Sequence, residues 1–193
     1  MKGANQQLAM TIKSCYFHLR HVGQIRKFLP KKTIERVVNA MVTSRIDYCN
    51  SLLYGTTDKN LARLQRLQNV AAKLIMGGSK YDHVTPILRD LHWLPISSRI
   101  HYKIMVLAHK AVHNAGPVYL RDLINMYSPG RVLRSGGCRL LARPRTRTGA
   151  GDATFTSAAA DLWNDLPAPL RLIEGEAAFK RALKTHYFTQ HFS

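Results

Sequence analysis

The chain has 193 residues, 46% of them apolar, with 29 Lys and Arg against 11 Asp and Glu, a formal net charge of +18. That apolar content excludes wholesale disorder, and so large a charge points to a polyanionic partner, with nucleic acid ahead of an acidic membrane surface. No apolar run is long enough to cross a bilayer, and the opening Met-Lys-Gly-Ala-Asn-Gln-Gln lacks the apolar centre of a secretory signal, so the expectation is a soluble intracellular protein, nuclear or cytoplasmic.

Residues 4–24 read as a helix, with Leu8, Ile12, Cys15, Leu19 and Val22 at three-to-four spacing. Pro30 marks the next entry. Residues 31–54 read as a second helix or two joined by a kink, with Val37, Val38, Met41, Val42, Ile46, Cys49, Leu52 and Leu53 as the apolar face and Gly55 as the close. The clearest periodicity lies in 58–76, where Leu61, Leu64, Leu67, Val70, Ala71, Leu74 and Ile75 make a buried face and Arg63, Arg66 and Lys73 a cationic stripe. Thr57 or Asp58 can cap its start, and Gly77-Gly78 stops it. A short helix over 86–91 ends in Leu91-His92-Trp93-Leu94-Pro95. A longer one follows over 96–114, with Ile100, Ile104, Leu107 and Ala111 inward and Arg99, Lys103 and Lys110 outward. Residues 117–127 predict another short helix.

Residues 128–152 change character. No acid occurs between Asp122 and Asp152, yet Arg131, Arg134, Arg139, Arg143, Arg145 and Arg147 all do, amid turn-forming glycines. Alternation around Leu140 to Thr148 permits one short strand or β-hairpin. Helix returns over 153–163 and closes the chain over 176–189, with Phe179, Leu183 and Phe188 inward. Trp93 and Trp163 both stand at a helix end before a proline and read as core anchors rather than base-stacking platforms. The fold class is therefore mainly α: a small N-terminal bundle over 1–78, then a second helical region over 79–193 carrying the basic loop at 128–152.

Candidate chemistry is sparse. Two-metal catalysis needs clustered carboxylates, and no two aspartates are adjacent anywhere. Glu174 and Glu176 look like helix-start residues, and Gly149-Ala150-Gly151-Asp152 does not match a phosphate-binding loop. His109 and His113 are four apart, with His101 two turns earlier, a spacing two imidazoles could use on one metal. With no glutamate after His109 and no cysteine pair nearby, the expectation is ordinary surface or boundary histidines and no metal site. The cysteines Cys15, Cys49 and Cys138 are scattered and odd in number, which argues against a disulfide framework and for a reducing compartment. Cys15 and Cys49 fall on apolar faces, where an inert buried thiol is the default. From the residues alone the chain is a basic helical binding module with no catalytic residues and no cofactor.

Several strings then combine in order. Phe17-His18-Leu19-Arg20 leads to Ile25-Arg26-Lys27-Phe28-Leu29, and Val42-Thr43-Ser44-Arg45-Ile46-Asp47-Tyr48-Cys49-Asn50-Ser51-Leu52-Leu53-Tyr54-Gly55 to Arg63-Leu64-Gln65-Arg66-Leu67-Gln68-Asn69. Tyr81-Asp82-His83-Val84-Thr85-Pro86, Leu88-Arg89-Asp90-Leu91-His92-Trp93-Leu94-Pro95, Leu162-Trp163-Asn164-Asp165-Leu166-Pro167 and Phe179-Lys180-Arg181-Ala182-Leu183-Lys184-Thr185-His186 follow. Over about residues 12 to 188 this order resembles the C-terminal part of reverse transcriptases from animal non-LTR (LINE-type) retrotransposons. The resemblance implies the thumb and the segment beyond it, which lie against the template–primer duplex. The family's Tyr-x-Asp-Asp motif and its endonuclease have no counterpart in this sequence, so polymerase activity is not carried over. Duplex gripping is, with Arg63, Arg66 and Lys73 as thumb contacts and the arginines from 131 to 147 as a second basic surface. Arg99 and Lys103 join them as candidates, and the expected partner is RNA, DNA or an RNA–DNA hybrid rather than a membrane. The alternative is a structural or interaction protein, or a transposon-derived remnant with no selected role.

Overall fold

Helix period and helix stops account for most of the architecture. A computed structural model describes residues 2–48, 50–79, 81–128 and 139–193, and among them the fold is mainly helical, without a strand. The chain divides into two compact units, residues 1–50 with 56–99 and 192, and residues 51–55 with 100–191 and 193. Residues 81–99, grouped by sequence with the C-terminal region, thus belong to the first unit, and the division falls inside a helix, between Arg99 and Ile100.

In the first unit α1 (Lys2–Ile25) buries Leu8, Ile12, Cys15, Leu19 and Val22, the stripe its spacing predicts. A tight turn, Arg26–Phe28, leads through Pro30 into α2 (Lys31–Val38), which continues through a widened π turn, Asn39–Thr43, into α3 (Ser44–Asp47). The extra residue in the wide turn keeps Val38, Val42 and Ile46 on one line although they are four apart. All three are buried, and Met41, which an unbroken 3.6 period would turn inward, is 43% exposed. The helix stops at Asp47, where Tyr48 turns extended, and a separate turn covers Asn50–Leu53, so the predicted 31–54 helix is shorter than its pattern.

α4 (Asp58–Met76) packs against α1, α2 and α5 (Val84–Asp90). It ends in left-handed Gly77, and the Gly78 N–H donates to the Lys73 carbonyl, closing the helix. Its buried face holds Leu64, Leu67, Ala71, Ala72 and Ile75, but also Asn60 and Gln68; Val70, expected inward, is exposed. Gln68 Nε2 donates to the Leu94 carbonyl at 2.8 Å, Gln65 Nε2 donates to Gln68 Oε1 at 3.0 Å, and the Ile96 N–H donates to Gln65 Oε1 at 2.9 Å. Two glutamines of α4 thus clasp the corner between α5 and α6 (Ile96–Val112).

The second unit is built around α6, α9 (Phe155–Asp165) and α11 (Glu176–Phe192), with short α7 (Val118–Asp122), α8 (Gly149–Asp152) and α10 (Ala168–Arg171) between them. Its core centres on Trp163, Phe179, Ile104, Met105, Leu183 and His109. His109 stacks on Phe179 at 4.2 Å between centroids. Gly55 belongs here too; with φ +71° and Ala153 against the place of a Cβ, only glycine fits.

Candidate nucleic-acid interface

The predicted hairpin within Leu140 to Thr148 is absent among the described residues. Residues 139–147 instead run without helix, and Leu141 makes a lone antiparallel bridge with Met126. The segment is pinned from two sides. The Tyr127 N–H donates to the Leu140 carbonyl and the Ala142 N–H to the Asn125 carbonyl. From α9, Trp163 Nε1 donates to the Arg139 carbonyl at 2.7 Å, the Leu141 N–H donates to Asn164 Oδ1 at 2.9 Å, and Asn164 Nδ2 donates back to the Leu141 carbonyl at 3.0 Å. Arg171, itself buried, donates from Nη1 to the Asn164 carbonyl. Arg139 takes φ +45°, outside the region most side chains prefer, at the start of this clamp.

Leu141 is buried, and from Ala142 onward exposure alternates: Ala142, Pro144 and Thr146 are half-buried while Arg143, Arg145 and Arg147 are exposed, so Leu141 itself stands outside the alternation. The alternation is that of an extended strand, with about 6.6 Å between side chains two residues apart. Arg143 is engaged: its Nε lies 2.9 Å from Asp161 and its Nη2 3.8 Å from Asp152. Asp152 also accepts from Thr146 Oγ1. Arg139 pairs with Glu174 at 2.9 Å. Arg145 and Arg147 have neither ion pair nor hydrogen bond among the described residues. Arg131 and Arg134 lie outside the described residues, as do Cys49 and Cys138.

In the first unit α4 turns Arg66 to solvent, with Nε donating only to the Ala62 carbonyl of its own turn, and leaves Arg63 and Lys73 half-buried beside it. Arg99 is different. Its Nη2 sits 2.8 Å from Asp47 Oδ2, its side chain is 19% exposed, and it ties α6 to the end of α3. Lys103, in the second unit, is exposed, whereas its stripe neighbour Lys110 pairs with Glu176 at 3.2 Å. The candidates therefore form two sets, Arg63, Arg66, Lys73 and Arg99 in one unit and Lys103, Arg139, Arg143, Arg145 and Arg147 in the other. No family model, curated protein or solved structure matches the chain.

His109, expected at the surface or a boundary, is buried in the core of the second unit, and His113 is half-buried beside it. Burial pushes the His109 and His113 imidazoles below their ordinary range, and the two rings lie 4.3 Å apart. His109 Nε2 faces the Ile173 carbonyl at 2.8 Å, and no group of three metal-ligating side chains gathers around them among the described residues. Cys15 is a buried free thiol whose pKa burial raises, so it is held in its unreactive form. Both tryptophans are buried; the exposed Phe and Tyr side chains among the described residues are Tyr16, Phe17, Phe28, Tyr48 and Tyr81 in the first unit and Tyr119 and Tyr127 in the second. Sequence reasoning singled out none of these. Tyr127 stands beside the arginine segment through its backbone bond to Leu140, and Phe28 beside Lys27; only that second adjacency was visible in the sequence. No helix among the described residues is long and apolar enough to cross a membrane.

Proposed function

We propose that the chain is a nucleic-acid-binding module, the thumb and post-palm part of a non-LTR retrotransposon reverse transcriptase, which grips a sugar–phosphate backbone without the parent's polymerase or endonuclease chemistry. It acts in the nucleus or cytoplasm on RNA, DNA or an RNA–DNA hybrid. The observation that carries this reading is how the cations are shared out. Arginines that meet a carboxylate (Arg99, Arg139, Arg143) hold the fold, and Arg66, Lys103, Arg145 and Arg147 stay exposed without an acidic partner among the described residues. Such side chains give affinity and salt dependence without reading sequence. A hybrid duplex recognised by shape suits them.

The test is anisotropy of a fluorescent RNA–DNA duplex across a salt series. Each phosphate contact contributes a slope near −0.9 in log K against log salt, so the Arg145→Gln/Arg147→Gln double variant loses about two units of slope relative to the parent. A parent that fails to bind at low salt, or binds with no salt dependence, refutes the proposal. A second reading, a non-catalytic interaction protein, is favoured by exposed Met10, Phe17, Met41 and Tyr48 in the first unit. It predicts concentration-dependent oligomers by size exclusion, and a monomer at all concentrations argues against it.

A further inference from the structure

A second cationic feature shares no side chain with the candidate contacts named above for the proposed function. Where α1 ends, the turn Arg26–Phe28 and the start of α2 meet the end of α4 around an open cleft of about 460 Å³. Arg26, Lys27 and Lys31 line it, over an apolar floor that includes Ile34, Ile75 and Met76, and no acid is among its lining residues. Glu35, one turn further along α2, makes no ion pair with Lys31 among the described residues. Arg26 is half-buried, and its side chain has no ion pair or hydrogen bond among the described residues.

The guanidinium of Arg26 is placed by packing rather than by a carboxylate. It lies over Gly77, so closely that a Cβ at that position would stand inside it. That puts a fixed positive charge over the C-terminal end of α4, whose partial negative charge favours a cation there. Its hydrogen-bonding fork remains unspent, in the geometry that suits a phosphate. Beside it Lys27 Nζ sits 4.9 Å from the centroid of the Phe28 ring, which is 75% exposed. The N–H of Lys31, a lining residue, precedes the first hydrogen bonds of α2, made by Thr33 and Ile34 to Pro30.

We propose that this corner is a phosphate-binding cleft for a nucleic-acid strand. Arg26, Lys27 and Lys31 hold one phosphate, and Phe28 stacks on a neighbouring base. Three cations around one pocket with no acid in it choose an anion, and the exposed ring beside them chooses a phosphate that carries a base. The proposal rests on the nucleic-acid reading above for its class of ligand, but uses none of the same side chains.

The test uses the full chain and a 5′-phosphorylated tetrathymidylate, with inorganic phosphate as the second arm, followed by amide and aromatic NMR shifts. The oligonucleotide is expected to shift the amides of residues 26–32 and the Phe28 ring protons. Lys27→Gln/Lys31→Gln abolishes those shifts, and Phe28→Ala weakens binding about 5- to 150-fold, the range for loss of one stacked base. Absence of these shifts, or shifts unchanged in the Lys27→Gln/Lys31→Gln variant, overturns the proposal. Equal saturation by inorganic phosphate at the same concentration shows a general anion site and also overturns it. Loss of duplex salt slope in Arg145→Gln/Arg147→Gln but not in Lys27→Gln/Lys31→Gln leaves the proposed function standing and removes the cleft. The reverse pattern keeps the cleft and removes the arginine segment.

Discussion

Gln68→Met is the sharpest test of what holds the first unit together. Gln68 is 1% exposed, and methionine nearly conserves its volume, so the cavity penalty is small and the change is one of hydrogen bonding. The substitution leaves the Leu94 carbonyl, a buried acceptor served at 2.8 Å, without this donor, which costs about 1–3 kcal/mol. Gln65 loses its 3.0 Å acceptor but keeps Asn69 Oδ1 at 2.8 Å, which adds about 0.5–1 kcal/mol. The total is about 1.5–4 kcal/mol, and at a urea dependence of about 2 kcal/mol per molar the midpoint falls by about 0.8–2 M. Trp93, next to Leu94 in the first unit, reports the transition once Trp163→Phe has removed the other indole. Gln65→Met removes the acceptor of the Ile96 N–H and the same glutamine–glutamine bond, so the double variant costs less than the sum of the singles. A Gln68→Met midpoint equal to the parent's, or strict additivity, refutes the clasp.

Three further outcomes are expected. His109 and His113 have folded pKa values below the ordinary 6.5, so the unfolded chain takes up protons first as pH falls. Stability of the second unit, read by Trp163, is therefore full above about pH 6.5 and declines below it. His109→Gln flattens the decline, and a parent curve flat from pH 7 to 5 contradicts the argument. Asp161→Asn releases Arg143 from its 2.9 Å partner and makes the salt slope of duplex binding steeper by about one unit; an unchanged slope shows Arg143 out of reach of phosphate. Trp163→Phe deletes the 2.7 Å bond to the Arg139 carbonyl and leaves that acceptor short of a partner, at about 1–3 kcal/mol in the second unit. Duplex affinity falls with it although no charge has changed, and undiminished affinity means that the clamp does not position the segment.

What the sequence displays well is local. α4 is legible to its ends because period and glycine stop agree, although Thr57, which stands at the N-cap position, makes no side-chain capping bond, and all five positions of the α1 stripe are buried. What it hides is long-range. Gln68 looks like a surface residue until its partner Leu94, twenty-six positions away, is known, and with Gln68 turned into the core Val70, two residues on, falls on the opposite side of the helix and is exposed. The wide turn at Asn39–Thr43 shifts the register of α2 and α3, which a 3.6-residue period cannot foresee, so Met41 was misplaced. At the candidate interface the arginines of 139–147 are obvious as a composition. Their division into engaged and exposed members is not, because Asp161 and Glu174 reach them from elements distant in sequence. The short α8 was invisible because two of its four residues are glycine.

The charge excess itself has a physical logic. Five of the 11 acidic residues, Asp47, Asp152, Asp161, Glu174 and Glu176, form ion pairs among the described residues, and four of them reach a cation in another segment of the chain. Acid is thus placed where a basic side chain must be fixed: Arg99 against α3, Arg139 at the start and Arg143 at the middle of the pinned segment, Lys110 against α11. Exposed pairs of this kind contribute little energy each, so their value lies in direction more than in stability. They fix the backbone that carries Arg145 and Arg147 and leave those two side chains uncompensated. A chain whose surplus served only solubility would gain nothing from holding its positive segment rigid. One that must present guanidinium groups to a regular array of phosphates gains geometry from every carboxylate it places nearby.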